Sequence, residues 1–142
     1  MSGGLRMAKK KITVVIADDH PFLRAGVRVL LENSTGFSVV GEAKNGREAV
    51  SLTCELLPDV LLLDMQMPFL DGIQVMDALR KSAVSVRVII LTAFDDKCFA
   101  HEARTKGASG YYLKEDAPAL LVDAIRDCVL HNKWGVSPSL GL

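Results

Sequence analysis

Two rhythms of apolar and polar residues alternate along the chain. Short, nearly continuous apolar runs are separated by longer stretches in which apolar residues recur every three or four positions. A continuous apolar run bounded by turn residues marks a strand buried on both faces, and a three-and-four spacing marks one face of a helix. The first run, 12–17, is rich in β-branched residues and ends at Asp18-Asp19. The second, 37–43, is more polar. The third, 60–64, ends in Asp64 and passes into a loop with Pro68 and Asp71-Gly72. The fourth, 86–91, stops at Thr92, and the short fifth, 111–113, is followed at once by Lys114.

The intervening stretches read as helices. After His20-Pro21, Leu23, Val27, Leu30 and Leu31 share one face, and Pro21 suits a first helical turn. Asn45-Gly46 leads into a second helix, stopped by Pro58. Asp71 is placed to cap a third, carrying Ile73, Met76, Leu79 and Ala83. Asp95-Asp96 can cap a fourth that runs to about residue 106, whose apolar face of Cys98, Phe99 and Ala103 is thin, so loose attachment is expected. Pro118 starts a fifth, with Leu121, Ala124, Ile125, Cys128 and Val129 on one stripe.

Five strands alternating with five helices predict an α/β fold, a five-stranded parallel sheet covered on both faces. The first, third and fourth strands are the most continuously apolar and belong in the centre; the second and fifth belong at the edges. That is the flavodoxin-like doubly wound (βα)5 arrangement, with strand order 2-1-3-4-5. The first and third strands then flank the point where such sheets hold ligands. Asp18, Asp19 and Asp64 converge there, and Thr92 and Lys114 reach the same rim.

Composition changes this picture little. The length of 142 residues suits one domain, and 49% hydrophobic with 24% charged residues is an ordinary globular balance. Seventeen basic residues offset seventeen acidic ones, so no overall field favours nucleic acid or a membrane. Cys54, Cys98 and Cys128 are odd in number and widely spaced, which argues for reduced packing residues rather than a disulfide or zinc framework. No apolar run approaches the roughly 20 residues of a membrane span, and no signal-peptide core is visible, so a cytoplasmic location is expected. Residues 1–11 read as a leader or cloning remnant.

Singly, an Asp or Lys at a strand end is ordinarily a solvated loop charge. Asp18-Asp19 could serve as a helix cap and Thr92 as a strand residue. Together they carry complementary chemistry. Crowded carboxylates repel one another, and a hard divalent cation with oxygen ligands relieves them; Mg²⁺ fits because it keeps several waters and leaves room for phosphate. A carboxylate can also act as a nucleophile and form an aspartyl-phosphate, for which Asp64 is the candidate. Lys114 would neutralise phosphoryl oxygens, and the Thr92 hydroxyl could donate to one. Glycine-rich nucleotide loops, zinc-protease and serine-hydrolase motifs are missing from the sequence.

These residues resemble the receiver domain of two-component response regulators. The match rests on Asp18-Asp19, Asp64 with Met67-Pro68 and Asp71-Gly72, Thr92-Ala93, and Gly110-Tyr111 with Lys114, within residues 12–131. Asp18-Asp19-His20-Pro21 with Arg24 and Gly26, and Gly110 through Lys114, are similar to the NarL/FixJ type; Glu115 stands where many receivers have proline. The resemblance implies that Asp64 accepts phosphate from a sensor histidine kinase. It implies Mg²⁺, with Mn²⁺ as an acceptable replacement, on Asp18, Asp19, Asp64 and the backbone carbonyl of Gln66. It also makes Thr92 and Tyr111 a switch pair and Lys114 the phosphate-binding lysine. The domain would catalyse only its own phosphotransfer, and homodimerisation on phosphorylation is an expected consequence. Residues 132–142 would begin a linker to an output domain absent from this chain, through which any DNA binding would run. His20 is read as a helix-entry residue near the site.

Two other readings use similar parts. A phosphatase of the haloacid-dehalogenase type also combines Asp, Thr, Lys and Mg²⁺, but this sequence has no Asp-x-Asp pair around Asp64. A flavodoxin-like FMN binder would need a phosphate loop where acidic Asp18-Asp19 stands.

Overall fold

The computed structural model describes residues 10–140, so most of the leader expected over 1–11 lies outside the described residues. Strands and helices alternate: β1 (Ile12–Ala17), α1 (Pro21–Glu32), β2 (Phe37–Ala43), α2 (Gly46–Leu56), β3 (Val60–Asp64), α3 (Gly72–Lys81), β4 (Arg87–Thr92), α4 (Lys97–Thr105), β5 (Gly110–Leu113), a 3-10 turn (Lys114–Asp116), α5 (Ala117–His131), β6 (Gly135–Val136) and a second 3-10 turn (Pro138–Leu140). The sheet is parallel throughout, in the order β2-β1-β3-β4-β5-β6. The flavodoxin-like order expected for the first five strands is present, and β6 extends it by a short sixth.

Alternation along the strands divides the core into two layers. Val15, Ala17, Leu61, Leu63 and Ile90 face α2, α3 and α4, meeting Ala49, Val75, Leu79, Ala100 and Ala103. Val14, Ile16, Leu62, Ile89 and Leu91 face α1 and α5, meeting Val27, Leu31, Leu121 and Ile125. All five residues of β3 are buried, which explains its unbroken apolar run.

Register decides which side chains share the rim. At the opposite end of the sheet Asp59 accepts hydrogen bonds from the Thr13 amide (2.9 Å) and hydroxyl (3.1 Å), while its own amide donates to the Thr13 hydroxyl (2.9 Å). This clasp aligns Val14 with Val60 and, three pairs along, Ala17 with Leu63. Asp18 and Asp64 therefore leave the sheet side by side. Asp64 pairs with Leu91 and Thr92 with Leu113, which brings Thr92 and Lys114 to the same end.

Several local expectations need correction. The apolar face of α4 is Ala100 and Ala103, whereas Cys98 and Phe99 are exposed. Asp96 caps this helix by accepting the Cys98 and Phe99 amides, which sets its phase so that only methyl groups reach the core. Cys98 is thus no packing residue, unlike buried Cys128. Ala83 lies beyond the end of α3 in the left-handed region, φ 56°. Asp71 does cap α3, in a reciprocal capping box with Gln74.

Candidate functional site

Asp18, Asp64 and Thr92 are almost fully buried at the carboxyl ends of their strands. Lys114 leaves β5 and bridges the two carboxylates, its Nζ 2.9 Å from Asp18 Oδ2 and 3.3 Å from Asp64 Oδ2. The site opens into a cleft of about 420 Å³ lined by Asp19, Asp64, Gln66, Met67, Ala93, Phe94 and Lys114, among others. The Gln66 amide donates to Asp64 Oδ1 at 3.3 Å.

Electrostatics follow from this packing. Burial, and then the neighbouring Asp18 charge, push the Asp64 carboxyl up to about 6, against the opposing pull of Lys114 and the Gln66 amide. Burial works against the charged form of Lys114, but the hydrogen bond to Asp18 and the charge of Asp64 outweigh it and hold its pKa above the ordinary lysine value. One ammonium thus offsets two buried carboxylates, and Asp19 adds a third negative group.

That imbalance suits a cation. Asp19 Oδ1 is shielded from solvent yet completes no hydrogen bond, the His20 imidazole 3.1 Å away directing its bond to Asp18 instead. Potential ligand atoms of Asp18, Asp19, His20 and Asp64 all lie within 4.8 Å of one another. Oxygen donors on three carboxylates match the demands of a hard divalent ion.

The remaining candidates divide. Thr92 lies at the rim with its hydroxyl oxygen accepting the Phe94 amide at 3.1 Å, which ties it to the segment entering α4. Tyr111 is fully buried, and its hydroxyl lies near Thr92 without completing a hydrogen bond. Burial raises the Tyr111 pKa.

A model of the response regulator receiver domain matches residues 14–126. This chain belongs to that family. The receiver is 40% identical over 131 residues to the transcriptional regulatory protein NarL of Mycobacterium tuberculosis, an alignment covering 92% of this chain and 60% of that protein. It is 43% identical over 113 residues to the nitrate/nitrite response regulator NarP of Escherichia coli K12, covering 80% of this chain and 53% of that one. The chain thus spans only part of the length of these curated relatives. Among solved structures, the NarL signal receiver domain of M. tuberculosis superposes with a TM-score of 0.82 at 40% identity, covering 86% of this chain and 98% of that one. A two-component response regulator of the LuxR family from Aurantimonas sp. SI85-9A1 gives 0.86 at 35% identity, covering 93% and 94%. Both likenesses carry the receiver fold and family together.

Around the receiver site, three supporting features escaped the sequence pattern. Arg24 reaches from α1 to donate to the Asp18 carbonyl at 2.6 Å and pairs with Glu42 at 3.2 Å, tying the β1 exit to β2. The loop after Asp64 is pinned by the first turn of α2: the Gly46 amide donates to the Pro68 carbonyl at 3.2 Å, and the Arg47 guanidinium stacks on Phe69. A Cβ on Gly46 would meet the Leu70 carbonyl oxygen at 2.2 Å, so only glycine lets α2 approach this loop so closely. His20, read from the sequence as a helix entry only, places Nδ1 3.1 Å from carboxylate oxygens of both Asp18 and Asp19.

Proposed function

We propose that this receiver domain takes a phosphoryl group from the phosphohistidine of a sensor histidine kinase onto Asp64. The observation that carries the reading is the Lys114 ammonium held between two buried carboxylates at the floor of an open cleft. In the transfer an Asp64 oxygen bonds to phosphorus as the phosphorus–nitrogen bond breaks, and the imidazole leaves with the electron pair. Asp18, Asp19, Asp64 and the Gln66 carbonyl are the groups that would hold Mg²⁺. When bound, the ion neutralises the carboxylates and stabilises charge on the transferring phosphoryl oxygens. Lys114 is placed to exchange its Asp64 contact for a phosphoryl oxygen. Thr92 can turn its hydroxyl toward the same group, with the buried Tyr111 behind it.

The domain is then a single-turnover switch, whose product is its own aspartyl-phosphate. Its surface of α4, β5 and α5 would report that state by homodimerising or by releasing an output domain, and the similarity to NarL-type regulators supports a parent protein that controls transcription. Among the described residues no helix is long and apolar enough to cross a membrane.

Acetyl phosphate with Mg²⁺ should add one hydroxylamine-labile phosphoryl group, read by intact mass, and Asp64→Asn should lose it. Labelling that survives in Asp64→Asn would overturn the assignment. Repeated hydrolysis of phosphate esters would favour the phosphatase reading instead.

A further inference from the structure

Among the ionisable side chains that line the cleft, His20 is the one that the proposed phosphotransfer leaves without a task. Its position is not casual. Pro21 follows it, and a residue before proline is kept out of the helical region. His20 accordingly takes an extended backbone, φ −93° and ψ 105°, at the N-terminus of α1. Its amide donates to Asp18 Oδ1 at 2.8 Å, closing a tight turn within the Asp18-Asp19-His20 segment. The imidazole is thereby folded back over the carboxylates, with Nδ1 3.1 Å from Asp18 Oδ1 and 3.1 Å from Asp19 Oδ1. Arg24 holds the Asp18 carbonyl from the other side, so the backbone behind this turn is anchored.

Resting on the metal-dependent reading above, we propose that His20 is a further ligand at the Asp18, Asp19 and Asp64 cation site and gives it affinity for nitrogen-seeking divalent ions of the Co²⁺, Ni²⁺ and Zn²⁺ class. A ring nitrogen of His20 belongs to the set of potential ligand atoms that lie within 4.8 Å of one another, and Nδ1 is the one in contact with the Asp18 and Asp19 carboxylates. Carboxylates and a peptide carbonyl alone select Mg²⁺, Ca²⁺ or Mn²⁺, whereas imidazole suits the later transition ions, whose affinities rise toward copper. Nδ1 is the ring atom that faces the two carboxylates, so it is the atom through which the imidazole would join their oxygens on one ion. The ring is largely exposed, so it can swing out and leave an all-oxygen site when Mg²⁺ is bound. One turn would then serve two classes of ion.

Calorimetric titration of the tag-free chain with Mg²⁺ and with Ni²⁺ tests this, with His20→Ala and His20→Gln compared at matched pH. Partners that merely orient metal ligands are worth about 10–100-fold in affinity, so loss of the imidazole should lower the ratio of Ni²⁺ to Mg²⁺ affinity by at least about tenfold. The high ratio should persist in His101→Ala/His131→Ala, which removes the other two histidines. Zn²⁺ should shift the His20 Nδ1 resonance selectively in nitrogen NMR. An unchanged ratio in both His20 variants, with Mg²⁺ still bound, overturns the His20 ligand and leaves the Mg²⁺-dependent switch standing. Mg²⁺ binding without Ni²⁺ binding overturns the His20 ligand alone, whereas failure of both ions to bind the native chain removes the metal-dependent reading as well.

Discussion

Asp64 is held in a state that folding alone would not choose. Its carboxyl rises from the ordinary value of 3.8 to about 6 because burial and Asp18 disfavour the charge. The folded state therefore binds the Asp64 proton more tightly than the unfolded state. Stability from this group is fully present below about pH 4 and is lost as pH rises through about 6. At about 1.4 kcal/mol per pH unit, ionised Asp64 costs about 2–3 kcal/mol at neutral pH. In chelator, Asp64→Asn should raise the urea midpoint at pH 8 and give no gain at pH 4; equal gains at both would refute the burial argument. Tyr111 poses a simpler case, since its buried hydroxyl lacks a partner. An unsatisfied buried group costs about 1–3 kcal/mol, so Tyr111→Phe should be neutral or stabilising by up to about 1 kcal/mol. A clear loss on urea unfolding would mean that Thr92 bonds the hydroxyl after all. The rim residues were legible because each ends a strand or follows one directly. His20 and Arg24 were not, since their roles depend on a turn that folds one side chain back and on a long guanidinium crossing to Asp18.

Among the elements, the C-terminal segment departs furthest from expectation. Residues 132–142 resemble the start of a linker, but 135–140 pack onto the domain. Gly135 and Val136 pair with Gly110 and Tyr111, the Ser137 hydroxyl accepts the Leu113 amide at 2.8 Å, and Leu140 is buried against the α4 side of the core. A Cβ on Gly135 would meet the Tyr112 hydroxyl at 1.9 Å, so any larger residue here would have to displace that ring. The edge of β5 is thus covered rather than left open, which removes a site for unwanted strand pairing. A two-residue strand of Gly and Val offers no apolar run, and a buried Ser looks like loop sequence, so neither could be read from periodicity. The central strands and most helices could, because their length let burial imprint a pattern. Ser137→Ala should leave the Leu113 amide unpaired and cost about 1–3 kcal/mol. Leu140→Ala should cost about 2–4 kcal/mol through the cavity it opens. Guanidinium unfolding measures both; negligible losses would make the segment a loose tail.

Across the whole domain, the parallel register joins the acidic rim to that covered edge. Asp64 lies on β3, beside β4 with Thr92; Thr92 pairs with Leu113 on β5; and the Leu113 amide donates to the Ser137 hydroxyl at 2.8 Å. Each step is a hydrogen-bonded neighbour, so a displacement of Thr92 toward a phosphoryl group has a short mechanical route to residues 135–140. The α4 side of that route is soft, because only Ala100 and Ala103 of the helix are buried. The opposite flank is stiffer: α2 bears directly on the loop after Asp64 through Gly46, with no room to shift inward. Phosphorylation should therefore change deuterium uptake in α4 and in 135–140 more than in α1 or β2. Ser137→Ala should weaken the response at 135–140 while leaving the response of α4, because it cuts the last link and not the first. An uptake change confined to the rim loops, or spread evenly over both flanks, would show that the register does not transmit the rim's state to the edge.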